Sequence, residues 1–286
     1  MKFDLHPGKI LWLASYPKSG NTWFRAFLTS LINEGEIEIN KMQQDGIFSD
    51  RLLFDAFSDL ESRDLYEEEA KVMIADVYRL AAAWAKKLLV LKVHDAFETD
   101  VDGNNIIPED VTHKAIYLVR NPLDVVGSFA NHNNSSIEDA ITLLNNPSGC
   151  LARQPGNLNV NPQFRQNLHD WSTHVKSWID KPSFEVLVIR YEDMLTSPFE
   201  TFRKAVDFIG TDATDQQVQA AIEQTSFEKL SRQEEEKGFH EKHRLSRVFF
   251  RAGKMGNWEE ELTSDQAAVV ISKHSETMHR LGYLRS

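Results

Sequence analysis

The chain has 286 residues, 41% of them hydrophobic and 26% charged, an ordinary globular composition with enough apolar material for a sizeable core. Such a composition does not fit a membrane-spanning, fibrous or wholly disordered chain. Forty-three acidic residues against 32 Lys and Arg give a net charge of −11, which argues against nucleic acid as a partner and requires any bound anion to sit in a local pocket.

In chain order, the first apolar run, 10–15 (ILWLAS), is read as a buried strand, because no small-residue cleavage pattern follows it. No stretch approaches the ~20 apolar residues of a membrane helix. The pattern then predicts a helix from about Thr22 to Ile32 and a long one within 62–87, with Ser58 and Glu61 as a candidate cap. Runs 88–93, 115–119 and 184–189 read as further strands. A helix is expected over 198–209, capped by Ser197, opened by Pro198 and stopped by Gly210. The last helix starts on a Thr263–Gln266 capping box and ends near Gly282. Strands alternating with helices imply an α/β fold with a mostly parallel central sheet flanked by helices, in one domain over 1–286. Residues 131–162 and 232–247 resist this reading and are expected to be acceptor-side or lid loops. Cys150 is the one cysteine, so no intramolecular disulfide or cysteine-built zinc site is available, and a reducing, cytoplasmic setting is expected.

The segment Tyr16-Pro17-Lys18-Ser19-Gly20-Asn21-Thr22-Trp23 lies between a strand and a helix. Such a turn aims backbone N–H groups and a helix dipole at one point, and Lys18 adds a full charge. The Walker spacing is absent, since the lysine precedes the glycine. On geometry alone, a phosphate cradle and an ordinary strand-to-helix turn both remain open. Arg120 stands where another strand ends, with Ser128 eight residues on. Strand carboxyl ends form the ligand crevice of open α/β sheets, so Arg120 and Lys18 can share a cleft; a surface pair of Arg120 with Asp124 is the competing reading.

These residues resemble the cytosolic-type sulfotransferases that use 3′-phosphoadenosine 5′-phosphosulfate (PAPS). YPKSGNTW matches the family's phosphosulfate loop YPKSGTTW at seven of eight positions, with Asn21 replacing a threonine. Arg120 to Ser128 resembles the family's 3′-phosphate motif, Phe250 to Trp258 its RKGxxGDW segment, and Lys92-Val93-His94 its KxH, whose histidine is the catalytic base. Tyr191-Glu192-Asp193-Met194 and Thr225-Ser226-Phe227 match two further landmarks, and all six occur in family order. The resemblance implies a P-loop nucleotide-kinase-like fold, PAPS as co-substrate with PAP as product, and no metal. It makes His94, Lys18 and Lys92 the catalytic candidates. For the nucleotide it implies Lys18, Ser19, Gly20, Asn21, Thr22, Trp23, Arg120, Ser128, Tyr191, Thr225, Phe227, Phe250, Arg251 and Gly253. A neutral histidine near physiological pH suits proton removal from an attacking hydroxyl or amine. His132, His169 and His174 are its competitors for the acceptor side. Lys92 has a snorkelling strand-end role as its alternative, and Trp23, Phe227 and Tyr191 have core packing as theirs.

Ala252 stands where many members carry a lysine for the 3′-phosphate, which implies weaker anchoring there unless Lys254 compensates. The segment after Trp258 lacks the family's short dimerisation pattern, so that dimer is not carried over and oligomeric state stays open. Residues 131–162 hold no Phe, Tyr or Trp but offer Asn, Ser, Gln, Arg153 and His132, which favours a polar small-molecule or glycan acceptor. The competing reading lines the pocket from the Phe48 to Phe57 region. An ATP-dependent kinase, or a PAP-binding protein without chemistry, are the alternatives; the Walker mismatch opposes the first and a retained base the second.

Overall fold

The computed structural model describes residues 6–42, 45–152, 161–242, 246 and 248–284. Its strands are β1 (Ile10–Ser15), β2 (Gly46–Ile47), β3 (Leu89–Val93), β4 (Thr112–Val119), β5 (Cys150–Leu151), β6 (Gln166–Asn167) and β7 (Val186–Arg190). The main sheet has the order β2-β3-β1-β4-β7 and every pairing in it is parallel; β5 and β6 form a separate antiparallel pair. All six residues of β1 are buried, as its central place requires.

The helices are α1 (Asn21–Asn33), α2 (Arg51–Ser58), α3 (Glu67–Trp84), α4 (Pro122–Asn133), α5 (Ile137–Leu144), α6 (Trp171–Asp180), α7 (Tyr191–Thr196), α8 (Pro198–Ile209), α9 (Asp215–Gln224), α10 (Phe227–Lys237), α11 (Trp258–Glu261) and α12 (Ser264–Arg280). Strand alternation divides the core in two. Leu11, Leu13, Ile116 and Leu118 meet α1 and α8 on one face, through Phe24, Phe27, Phe202 and Val206. Trp12, Ala14, Tyr117 and Val119 meet α3, α4, α6 and α12 on the other, through Tyr78, Phe129, Trp178 and Met278. Each buried Leu, Ile, Val, Phe or Met among them contributes about 1.5–3 kcal/mol of transfer free energy, so both faces are firmly covered.

Several local readings change. The 62–87 pattern resolves into a short 3-10 turn at Ser62–Asp64 and α3, while Ser58 is the last residue of α2. Glu69 Oε2 accepts the Tyr66 N–H at 2.9 Å and closes the start of α3 in place of the Ser58–Glu61 cap. Ser197 precedes α8 without a side-chain cap bond, whereas the Thr263 box is present. The charged run at 232–247 is helical as far as Lys237, because Leu230 and Glu234 give α10 a buried stripe. Arg153, 243–245 and 247 lie outside the described residues. No helix among the described residues is long and apolar enough to cross a membrane.

Candidate active site

Because all main-sheet pairings are parallel, the strand carboxyl ends gather at one edge. A cavity of about 500 Å³ lies there. Lys18, Gly20, Asn21, Thr22 and Trp23 reach it from the β1–α1 turn, Lys92 and His94 from β3 and its end. Arg120 follows β4, Ser128 lies on α4, and Tyr191 opens α7. Phe227, Phe250, Arg251 and Gly253 complete the expected lining. Two candidates stand apart. Ser19 is fully buried behind the turn, and the Thr225 hydroxyl donates to the Ala221 carbonyl at 2.8 Å, closing α9.

The turn itself is conformationally demanding. Lys18 sits at φ +70° and Gly20 at φ +96°, the left-handed region that disfavours side chains. A Cβ at Gly20 would lie 2.7 Å from the Tyr191 ring and 2.9 Å from Met194. Gly20→Ala is therefore expected to cost about 1–3 kcal/mol; an unchanged thermal unfolding midpoint would contradict this. Arg120 stacks on that same Tyr191 ring at 4.4 Å, and its Nη2 donates to the Lys254 carbonyl at 3.1 Å. The surface pair with Asp124 is not formed among these contacts. Asp124 instead accepts the Gly256 and Trp258 N–H groups at 2.9 and 3.1 Å, and Glu234 accepts those of Phe249 and Phe250 at 2.7 and 2.8 Å. Two carboxylates thus hold the 249–258 segment against the cavity, with Arg251 paired to Glu261 at 2.7 Å.

His94 is oriented by a residue the motif did not single out. Its Nδ1 lies 2.8 Å from the Ser15 carbonyl oxygen. A carbonyl only accepts, so Nδ1 carries the proton and Nε2 is the basic nitrogen. Burial first, then the Lys92 cation, hold the imidazole well below its ordinary range, so it is neutral at physiological pH. Behind it, Tyr117 Oη donates to His174 Nδ1 at 2.9 Å and His174 Nε2 donates to the His94 carbonyl at 2.9 Å. His174 therefore supports the His94 backbone; burial lowers it to about 4. His169 bonds Glu98 and the Pro147 carbonyl instead of facing the cavity, while His132 lines it.

The cations are crowded and partly compensated. Burial, then Lys92 and Arg120, lower Lys18 to about 7; burial and Arg25 lower Lys92 to about 8. Glu241, also in the lining, accepts from Arg25 at 2.6 and 2.8 Å and lies 3.7 Å from Lys92 Nζ. Trp23 Nε1 and Arg120 Nε are buried without hydrogen-bond partners among the described residues. Unmatched donors beside several cations suit an anionic ligand with acceptor atoms. Neither Arg25 nor Glu241 carries a sequence signal, since their pairing joins α1 to the segment after α10.

The described fold has known counterparts. Residues 9–282 match the family model for the sulfotransferase domain. Cytosolic sulfotransferase 16 of Arabidopsis thaliana is 24% identical, across 99% of this chain and 80% of its own length. Flavonol 3-sulfotransferase of Flaveria bidentis is 25% identical, across 92% of this chain and 79% of its own. Among solved structures, a retinol dehydratase in complex with androsterone and inactive cofactor PAP matches with a TM-score of 0.59 at 20% identity, covering 96% of this chain and 81% of that one. Mouse sulfotransferase SULT7A1 complexed with PAP gives 0.59 at 20% identity, covering 95% and 84%. With a family model that runs from the edge of β1 to beyond α12, the chain belongs to the sulfotransferase domain family and is an enzyme of that class.

Proposed function

We propose that the protein transfers a sulfuryl group from PAPS to a small-molecule acceptor and releases PAP. The observation that carries this reading is the convergence of Lys18, Lys92, Arg120 and Arg251 with a neutral, tautomer-fixed His94 on one cavity. The acceptor hydroxyl gives its proton to His94 Nε2 as its oxygen bonds sulfur, and the bond from sulfur to the donor phosphate oxygen breaks. That oxygen leaves with the electron pair, and Lys18 with the N–H groups of the turn opposes its growing charge. Arg120, Ser128 and Arg251 hold the 3′-phosphate, and Trp23 and Phe227 flank the base. The PAP-bound structural neighbours support the choice of donor. Incubation with labelled PAPS and acceptor mixtures is expected to give products heavier by one sulfuryl group, formed one for one with PAP; transfer from ATP and magnesium instead would sink the proposal.

A polar acceptor is favoured, because Asn133, Asn161, Gln163 and Gln166 contribute amides to the cavity. Gln166 Nε2 donates to Gln163 at 2.8 Å, while its Oε1 is buried without a partner among the described residues. Such an acceptor oxygen suits a donor hydroxyl on the substrate.

Lysine titration gives the donor reading a test independent of turnover. In the free protein Lys18 loses its proton near pH 7 and Lys92 near pH 8. A bound polyanion stabilises both charged forms and so raises both values. The sign follows: at pH 8 binding takes up between about one and two protons per PAP, and affinity falls as pH rises above 7. Calorimetry in two buffers of different ionisation enthalpy checks this, and proton release would contradict it.

A further inference from the structure

The wall of the cavity has a second side. Side chains alternate along strands, and three neighbouring segments do so in concert. Ile47, His94 and Gln166 line the first cavity, whereas Phe48, Asp95 and Asn167 line another, of about 230 Å³. Ala70, Ile74 and Phe164 add apolar surface to it. Of its two basic residues, Lys71 is paired with Glu98 and Arg165 with Glu67. Glu68, Asp95 and Asp100 are also present, so the balance is acidic.

Asp95 is the unusual member. It is 5% exposed, and Oδ1 accepts the Asn167 N–H at 3.0 Å. Oδ2 is buried with no hydrogen-bond partner among the described residues, and so is the Ser49 hydroxyl, which lines the same cavity. A buried carboxylate oxygen without a donor is costly; burial accordingly pushes Asp95 up to about 7. Among the described residues no three His, Cys, Asp or Glu side chains group as a metal site. The chemistry on offer is one bare carboxylate oxygen, one hydroxyl and aromatic walls.

We propose that this second cavity is a ligand site for a small organic cation, whose ammonium group pairs with Asp95 Oδ2 and Ser49 and whose apolar body packs on Phe48 and Phe164. At 230 Å³ it falls below the range of about 300–1,000 Å³ for drug-sized ligands, so a monocyclic or short aliphatic amine fits. The occupant would lie one peptide unit from the proposed base. The carbonyls of His94 and Asp95 are both fixed by α6, from His174 and Trp178 at 2.9 Å each, which makes that stretch a rigid connection between the two cavities.

The test uses benzylamine, with benzyl alcohol as its uncharged counterpart, added to the protein with and without saturating PAP. Calorimetry is expected to show one-to-one binding of the amine, indifferent to PAP, with a shift of the Asn167 amide resonance in NMR. The alcohol and the Asp95→Asn variant are expected to bind at least about tenfold more weakly, given the worth of a charged hydrogen bond. Val101→Lys, at the 73% exposed mouth of the cavity, is expected to weaken the amine comparably without touching the buried wall. It carries the test should Asp95→Asn fail to fold. No saturable binding, equal binding of the alcohol, displacement by PAP, or indifference to Val101→Lys would overturn the site.

Discussion

His94→Ala is expected to lower kcat roughly a hundred- to ten-thousand-fold while PAP affinity stays within about threefold, the range that general base catalysis supplies. The expectation comes from the tautomer. With Nδ1 donating to the Ser15 carbonyl, Nε2 is left to accept a proton, and the depressed imidazole is already in its basic form. The pH profile follows in sign. A base that protonates only below its ordinary range adds no acid limb to kcat/KM above pH 6.5; its limb lies lower. Replacing the neighbouring Lys92 with Met removes part of the cause and is expected to move that limb upward. Full activity in His94→Ala would end the assignment; simultaneous loss of PAP binding would mean that the substitution had damaged the wall.

The second large effect is expected at Lys18, and its two consequences run in opposite directions. On the proposed mechanism, Lys18→Gly removes the charge assigned to the leaving phosphate oxygen, and a loss of about 10²–10³ in kcat is expected, comparable with deleting a donor to a developing oxyanion. The same change relieves a side chain held at φ +70°, a conformation that glycine adopts readily. The unfolding midpoint is therefore expected to stay level or rise. Lys18→Met, which loses the charge and keeps the strain, should match the rate loss without the gain in stability. If the two variants unfolded alike, backbone strain would not be a cost the native turn carries. If either kept its rate, Lys18 would be a ligand holder only.

The central strands were legible because they are buried on both faces. Ile10–Ser15 is apolar or small throughout, and the predicted and observed limits agree. β4 begins three residues before the predicted 115, since Thr112, His113 and Lys114 disguise a strand start whose polar groups are used locally; Thr112 Oγ1 accepts from Trp12 Nε1 at 2.8 Å. β2 has two residues and no periodicity to read. α10 was hidden by its charge, because a helix with one narrow buried stripe looks like a polar loop. At the site the motif residues announced themselves through local spacing. Ser15 acts through a backbone carbonyl, which no residue type encodes, and Glu241 acts on Arg25 across 216 positions. Asp124 looked like a partner for the nearby Arg120 and instead holds a segment more than 130 residues away.

The carboxylates around the cations give the proposed reading a kinetic consequence. Arg251 is engaged by Glu261 and Lys92 faces Glu241. A nucleotide entering such a site exchanges one oxyanion for another, and the tethered carboxylates act as resident competitors at high local concentration. Product release then need not wait for solvent to rehydrate bare cations, because the protein's own anions return as PAP departs. On the proposed reading PAP carries as much charge as PAPS, and that return path works against trapping of the spent nucleotide.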